Sequence, residues 1–307
     1  MTEALPPHDF QFFPVRDAPV DLPPLTLSHS TTWTYCGPLL TLSDPPALAD
    51  LPPTFSAWSA HTFSSAGSPI PSLLPRLAPF LRAVQSFLRR HGIHHYWLTV
   101  RASKPTSDFD TPRWHTDDDF FDYPPRGDSS GNESRSGASL DRCQWKLCGT
   151  LQGPGTLFAA EGARAREVLR RAKERARRAE AARPHVCTVV RCAACGRTSD
   201  AVREEAHAGL EGEKVAQTGN SEIAFFRIGA KDGAVHSEPR IDCDRVFVNV
   251  VPGTEADLRG LMSRWGMEFP RSWTLGVPVV LDVNDRGATG TSEKTKVPNS
   301  AQIESAA

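Results

Sequence analysis

Two short stretches carry the residue types that could do chemistry. Arg113–Asp119 reads Arg-Trp-His-Thr-Asp-Asp-Asp and contains His-x-Asp, with His115 and Asp117 two positions apart. Val235-His236-Ser237-Glu238-Pro239 supplies a second imidazole, and Arg245 follows His236 by nine positions. Two imidazoles and one carboxylate on one face of a site make a 2-His-1-carboxylate set, which holds a ferrous ion and leaves positions open for oxygen chemistry. In an extended segment side chains alternate with period two, so His115 and Asp117 point the same way and can reach one ion. One strand cannot surround a metal, so the third ligand must come from elsewhere. His236, after the Asp232-Gly233 turn and before Pro239, is placed for that role. Asp118 and Asp119 adjoin Asp117, so spacing alone selects the carboxylate.

Arg245 opens the strand-like run Arg245–Val251, in which Val246, Val248 and Val250 share one face and Arg245, Phe247 and Asn249 the other. An arginine turned into a protein interior is costly unless it meets an anion, and its guanidinium fork matches a carboxylate in two-point fashion. An iron centre that reduces O2 with an α-keto diacid needs such a fixed cation for the far carboxylate. Arg240 is the competing candidate, in the turn nearer His236.

The elements that must position these residues read as follows. Met1–Pro71 is proline-dense; Thr31–Tyr35 and Leu39–Leu42 are its best strands, Leu48–Phe63 is ambiguous, and its aromatics suggest a segment wrapped around the core. Pro79–Arg90 is a helix with Phe80, Leu81, Val84, Phe87 and Leu88 on one stripe and Gly92 as cap. His91, His94 and His95 then read as polar residues of a helix-to-strand turn. Tyr96–Arg101 alternates as a strand. Pro124–Ser139, rich in Ser, Gly and charge, suits a mobile loop. Trp145–Leu151 is a strand running into Gly153-Pro154-Gly155-Thr156, followed by a short strand at Leu157-Phe158. Glu161–Arg183 carries nine Lys/Arg against four Glu and predicts a solvated helix with almost no apolar face. Glu222–Ile228 and Arg245–Val251 are strands. Thr254 and Asp257 resemble a capping box opening a helix through Trp265, with Leu258, Leu261, Met262 and Trp265 buried. Val277–Val283 is a candidate last strand. The class is therefore α+β and β-rich, a sandwich or barrel with flanking helices.

The motif order His-x-Asp, strand, Gly-rich turn, then His-x-x-Pro with an arginine nine residues after the histidine resembles the iron(II)/2-oxoglutarate-dependent dioxygenases. More narrowly, His115–Asp117, Gly153–Thr156 and Val235–Pro239 resemble an uncharacterised bacterial and fungal family with the same order. The resemblance covers roughly Trp97–Pro252. It implies a double-stranded β-helix, the jelly-roll of the cupins, with His115, Asp117 and His236 on iron and Arg245 on 2-oxoglutarate. Lys146, Cys148 and Thr150 share one strand face, and Thr150 or Lys146 is a further candidate for cosubstrate contact. The implied organisation is a proline-rich wrapping segment over 1–78, a barrel domain over 79–283 with a low-complexity insertion at about 161–220, and a disordered tail over 284–307. A non-catalytic cupin-like metal-binding or scaffold protein is the alternative.

Inside that insertion, His185, Cys187, Cys192 and Cys195 offer four soft ligands within eleven residues, a candidate structural zinc site. The competing reading is an unstructured insertion with idle thiols. Cys36, Cys143, Cys148 and Cys243 are expected to act as small buried residues. An odd count of seven cysteines is not a disulfide framework, so a reducing intracellular compartment is expected. The formal net charge of −1 calls for neither nucleic acid nor an anionic membrane. Nucleic-acid contact by the basic run is the sharper reading of it, a solvated charged face the commoner one. No stretch has the length of a membrane span, no signal-peptide pattern opens the chain, and no Walker loop, Gly-x-Ser-x-Gly or dinucleotide fingerprint occurs.

Overall fold

The computed structural model describes residues 9–16, 22–64, 70–121, 144–182 and 192–278. Pro124–Ser139, His185, Cys187, Cys143, the 284–307 tail and most of Val277–Val283 lie outside the described residues. The described chain is α+β, with two antiparallel sheets and five α-helices.

The larger sheet has seven strands in the order β1 (Phe10–Pro14), β7 (Glu222–Arg227), β4 (Trp145–Gln152), β9 (Arg245–Gly253), β3 (His95–Ser103), β2 (Thr31–Pro38), β10 (Arg271–Leu275). Every pairing in it is antiparallel. Its centre is β9, buried along its whole length. Strand alternation sends Val246, Val248 and Val250 to one face, where they join Leu98, Val100, Leu147 and Phe225 beneath helices α1 (Pro53–Thr62) and α2 (Ile70–Arg90). The opposite residues, Phe247 and Val251, join Trp97, Cys148, Ala224 and Phe226 on the other face. That second face is covered by Phe158 and by α5 (Glu255–Arg264), through Leu258, Leu261 and Met262. The smaller sheet, β6 (Val215–Gln217), β5 (Leu157–Ala159) and β8 (His236–Ser237), lies on this side. An antiparallel bridge between His115 and His236 extends it. The candidate residues thus sit between a large and a small sheet.

Several elements differ from the sequence-based expectation for identifiable reasons. Proline at 79 predicts a helix start, yet α2 begins at Ile70 and runs through Pro75 and Pro79. An interior proline costs about 3 kcal/mol, whereas each fully buried large apolar side chain contributes about 1.5–3 kcal/mol. Leu73, Leu77, Phe80, Leu81, Val84 and Leu88 are all buried, so packing outweighs two interrupted backbone bonds. Leu39–Leu42 forms no strand; Leu39, Leu40 and Leu42 pack against the core without a ladder. The final described strand is Arg271–Leu275, ahead of the expected Val277–Val283. Cys36 and Cys148 are buried as expected, but Cys243 is exposed.

The basic segment also needs correction. Helix α3 (Gly162–Ala181) has an apolar stripe after all: Ala165, Leu169 and Ala172, four and three positions apart, are buried. Alanines make this face narrow enough to be lost among arginines in the sequence. The stripe packs with Ala206 and Leu210 of α4 (Ala193–Leu210) and with Trp114 and Val235. The exposed arginines pair with carboxylates, Arg170 with Glu167 and Glu174, Arg171 with Glu167, and Arg164 with Glu213. Among the described residues no helix is long and apolar enough to cross a membrane.

Candidate metal centre

His115 and His236 face each other across two backbone hydrogen bonds, the His115 amide donating to the His236 carbonyl at 3.0 Å and the reverse at 2.9 Å. This local ladder fixes the direction of both side chains. Trp114 and Val235, one position earlier on each strand, point the opposite way into the α3–α4 cluster. The imidazoles converge, with ring centroids 4.4 Å apart. Asp117 is two positions along from His115, and its carbonyl accepts from the Gly229 amide, which anchors the segment. Asp117 Oδ1 lies 3.7 Å from His115 Nε2 and Oδ2 lies 3.7 Å from His236 Nε2. One donor atom from each of the three residues falls within 4.8 Å of the others.

The tautomers are set by the backbone. His115 Nδ1 is 2.7 Å from the Arg113 carbonyl and His236 Nδ1 is 3.0 Å from the Ala234 carbonyl. A carbonyl only accepts, so each Nδ1 carries the hydrogen and each neutral ring presents a bare Nε2 lone pair. Nδ1-to-carbonyl bonds of this kind orient metal-ligating histidines. Burial pushes His236 down to about 4, against the pull of the Asp117 carboxylate. Burial alone would raise the Asp117 carboxyl, but the Lys146 ammonium and the two imidazoles bring it down to about 2. With both Nδ1 atoms turned to backbone carbonyls, the two Nε2 atoms face the Asp117 carboxylate, an arrangement that suits a cation. The His-Asp-His group could bind a metal.

The triad borders a small cavity that opens to solvent and is also lined by Lys146, Thr156, Phe226, Glu238, Arg245 and Phe247. His115 stands toward the mouth, its side chain 38% exposed, while the Asp117 and His236 side chains are 1% and 8% exposed. Arg245 is fully buried. Its Nε donates to the Pro154 carbonyl at 2.9 Å and its guanidinium lies 4.6 Å from the centre of the Phe247 ring. Its Nη2 is buried without a hydrogen-bond partner. The Gly153–Thr156 turn is the cradle for this residue. Gly153 has φ +87°, and a side chain there would come within 3.1 Å of Arg245. Gly155 leaves no room either, since a Cβ would meet the Thr218 carbonyl.

The two further candidates for cosubstrate contact both lie on β4, and Lys146 lines the cavity. Lys146, on β4, donates to Asp117 Oδ2 at 3.0 Å and is buried. Thr150 lies on the same strand face but is not among the cavity-lining residues; its hydroxyl is buried without a partner. Arg240, the competing clamp, pairs at the surface with Asp110. Sequence reasoning missed Glu238, which lines the cavity and pairs with Arg101 at 3.4 Å. Burial would raise its carboxyl, but His115, Arg101 and Arg245 hold it at about 2. Its position two residues beyond His236 was the available signal. Of the zinc candidates, Cys192 precedes α4 and Cys195 lies in its first turn. Among the described residues His115, Asp117 and His236 are the one metal-competent group of three.

No protein-family model matches the chain, and no curated protein is similar to it.

Proposed function

We propose that the protein is an iron(II)- and 2-oxoglutarate-dependent oxygenase whose two sheets form a double-stranded β-helix. One observation carries the reading: a buried arginine with an unpartnered Nη2 lines the same cavity as the Nε2 atoms of His115 and His236 and the Asp117 carboxylate. A buried guanidinium donor without a hydrogen-bond partner is expensive and suits an incoming anion, beside the Glu238 carboxylate that already acts on the guanidinium. His115, Asp117 and His236 would hold the ferrous ion, which with 2-oxoglutarate supplies O2 activation for oxidising a substrate C–H bond.

The chain's own residues have separable tasks. The Arg113 and Ala234 carbonyls hold the imidazoles with Nε2 inward. Lys146 keeps Asp117 ionised. Arg245, fixed by the Pro154 carbonyl and the Phe247 face, would receive the distal carboxylate of the cosubstrate through its free edge. Phe226 and Phe247 wall the cavity with apolar surface, which strengthens electrostatic contacts inside.

A second reading, a non-catalytic cupin-like metal-binding or scaffold protein, draws on the Lys146–Asp117 pair, which already neutralises the carboxylate. The test is anaerobic reconstitution with Fe2+ and 2-oxoglutarate followed by exposure to O2. The oxygenase reading expects succinate above the protein-free rate, abolished in Arg245→Met. Metal uptake without any succinate would support the binding protein.

A further inference from the structure

Lys146 places a second cation on the carboxylate that the metal centre needs. Its Nζ is 3.0 Å from Asp117 Oδ2, and the two side chains are 5% and 1% exposed. An ion held by both imidazoles would share this carboxylate, whose two oxygens each lie 3.7 Å from one Nε2. The ammonium is already on the Oδ2 side. Both members of this pair are buried, so water screens the two cations from each other only weakly.

We infer that Lys146 is a built-in stand-in for the metal: it neutralises Asp117 in the metal-free protein and opposes the incoming dication. The proposal rests on the triad being a metal site but not on 2-oxoglutarate. Two properties are then traded against each other. With Lys146 present, the metal-free fold holds no uncompensated buried carboxylate, and metal must displace or tolerate a neighbouring positive charge. With Lys146 neutral, the metal-free fold is weakened, and the metal becomes the sole counter-charge. A lysine that merely packed or oriented Asp117 would behave oppositely, since losing it would loosen the ligand and weaken metal binding.

The test measures Mn2+ affinity by calorimetry and thermal midpoints with EDTA or saturating Mn2+ for wild type, Lys146→Met and Lys146→Gln. Glutamine can still donate a hydrogen bond to Oδ2 without its charge, and serves if the methionine variant does not fold without metal. The inference expects at least tenfold tighter Mn2+ binding in a neutral variant, a lower metal-free midpoint, and a larger rise on adding metal than in wild type. Binding by a variant where wild type shows none would be the extreme form of the same result. Unchanged or weaker affinity in folded variants, with wild type binding, overturns the inference alone. Absence of Mn2+ binding in all three removes the metal centre itself.

Discussion

At the scale of residues, protonation states follow from burial and backbone contacts. The His236 value near 4, against about 6.5 for a free imidazole, means that in the metal-free protein the unfolded chain binds a proton that the folded chain refuses. That contribution to stability is fully present above pH 6.5 and is lost as pH falls toward 4, with a slope of at most about 1.4 kcal/mol per pH unit. Asp117 and Glu238 act with the same sign at lower pH, since both are held near 2. Urea unfolding of the EDTA-treated protein from pH 7 to 4 should show this acid limb, and His236→Gln should flatten it; an unchanged limb would mean that the ring is not the titrating group. The convergence of His115 and Asp117 was legible because period-two alternation applies to His-x-Asp wherever it is extended. What was not legible was the partner of each polar group. Lys146, a candidate for cosubstrate contact, lines the cavity and also meets Asp117, and the sequence could not show that second contact because it joins β4 to a segment far away in the chain.

At the scale of elements, the Gly153–Thr156 turn matters more than its four residues suggest. It leaves β4, reverses through a positive-φ glycine, and delivers the carbonyl that holds Arg245. Gly153→Ala forces a left-handed backbone on a residue with a side chain, costing about 1–2 kcal/mol, and pushes on Arg245. We expect 2-oxoglutarate affinity to fall at least tenfold while Mn2+ affinity stays within about twofold, because the turn touches the clamp and not the triad. Equal losses of both would show that the turn supports the whole cavity. Strands β2, β3, β4, β7 and β9 and the capped helix α5 could be read from alternation and from Thr254 with Asp257, whose reciprocal hydrogen bonds are present, whereas β1, β6 and β10 were not read. Helix α2 could not be bounded at its start, since Pro79 signals a first turn locally and only the core shows why the helix begins at Ile70.

At the scale of the molecule, the α3–α4 pair backs the candidate metal ligands. Leu169 and Ala165 pack with Trp114 and Val235, the immediate neighbours of His115 and His236. Leu169→Ala should lower stability by about 2–4 kcal/mol and also weaken Mn2+ binding, measured by urea unfolding and calorimetry; a variant that loses stability with unchanged metal affinity would mean the helices do not buttress the site. This coupling was hidden in the sequence because the segment looks like charge and alanine, and its apolar stripe is only as wide as Ala165, Leu169 and Ala172. The two-sheet arrangement was legible as a β-rich class, since short alternating runs and turns recur, whereas the strand order was not, because it is set by long-range pairing. The most direct test of the whole reading is an anaerobic titration of the Fe2+-loaded protein with 2-oxoglutarate, followed by visible absorbance. The account predicts a weak metal-to-ligand charge-transfer band that saturates in wild type, is absent in His236→Ala for lack of metal, and needs far more 2-oxoglutarate in Arg245→Met with metal still bound. A wild-type protein that takes up Fe2+ through the triad yet shows no band at any 2-oxoglutarate concentration would contradict it.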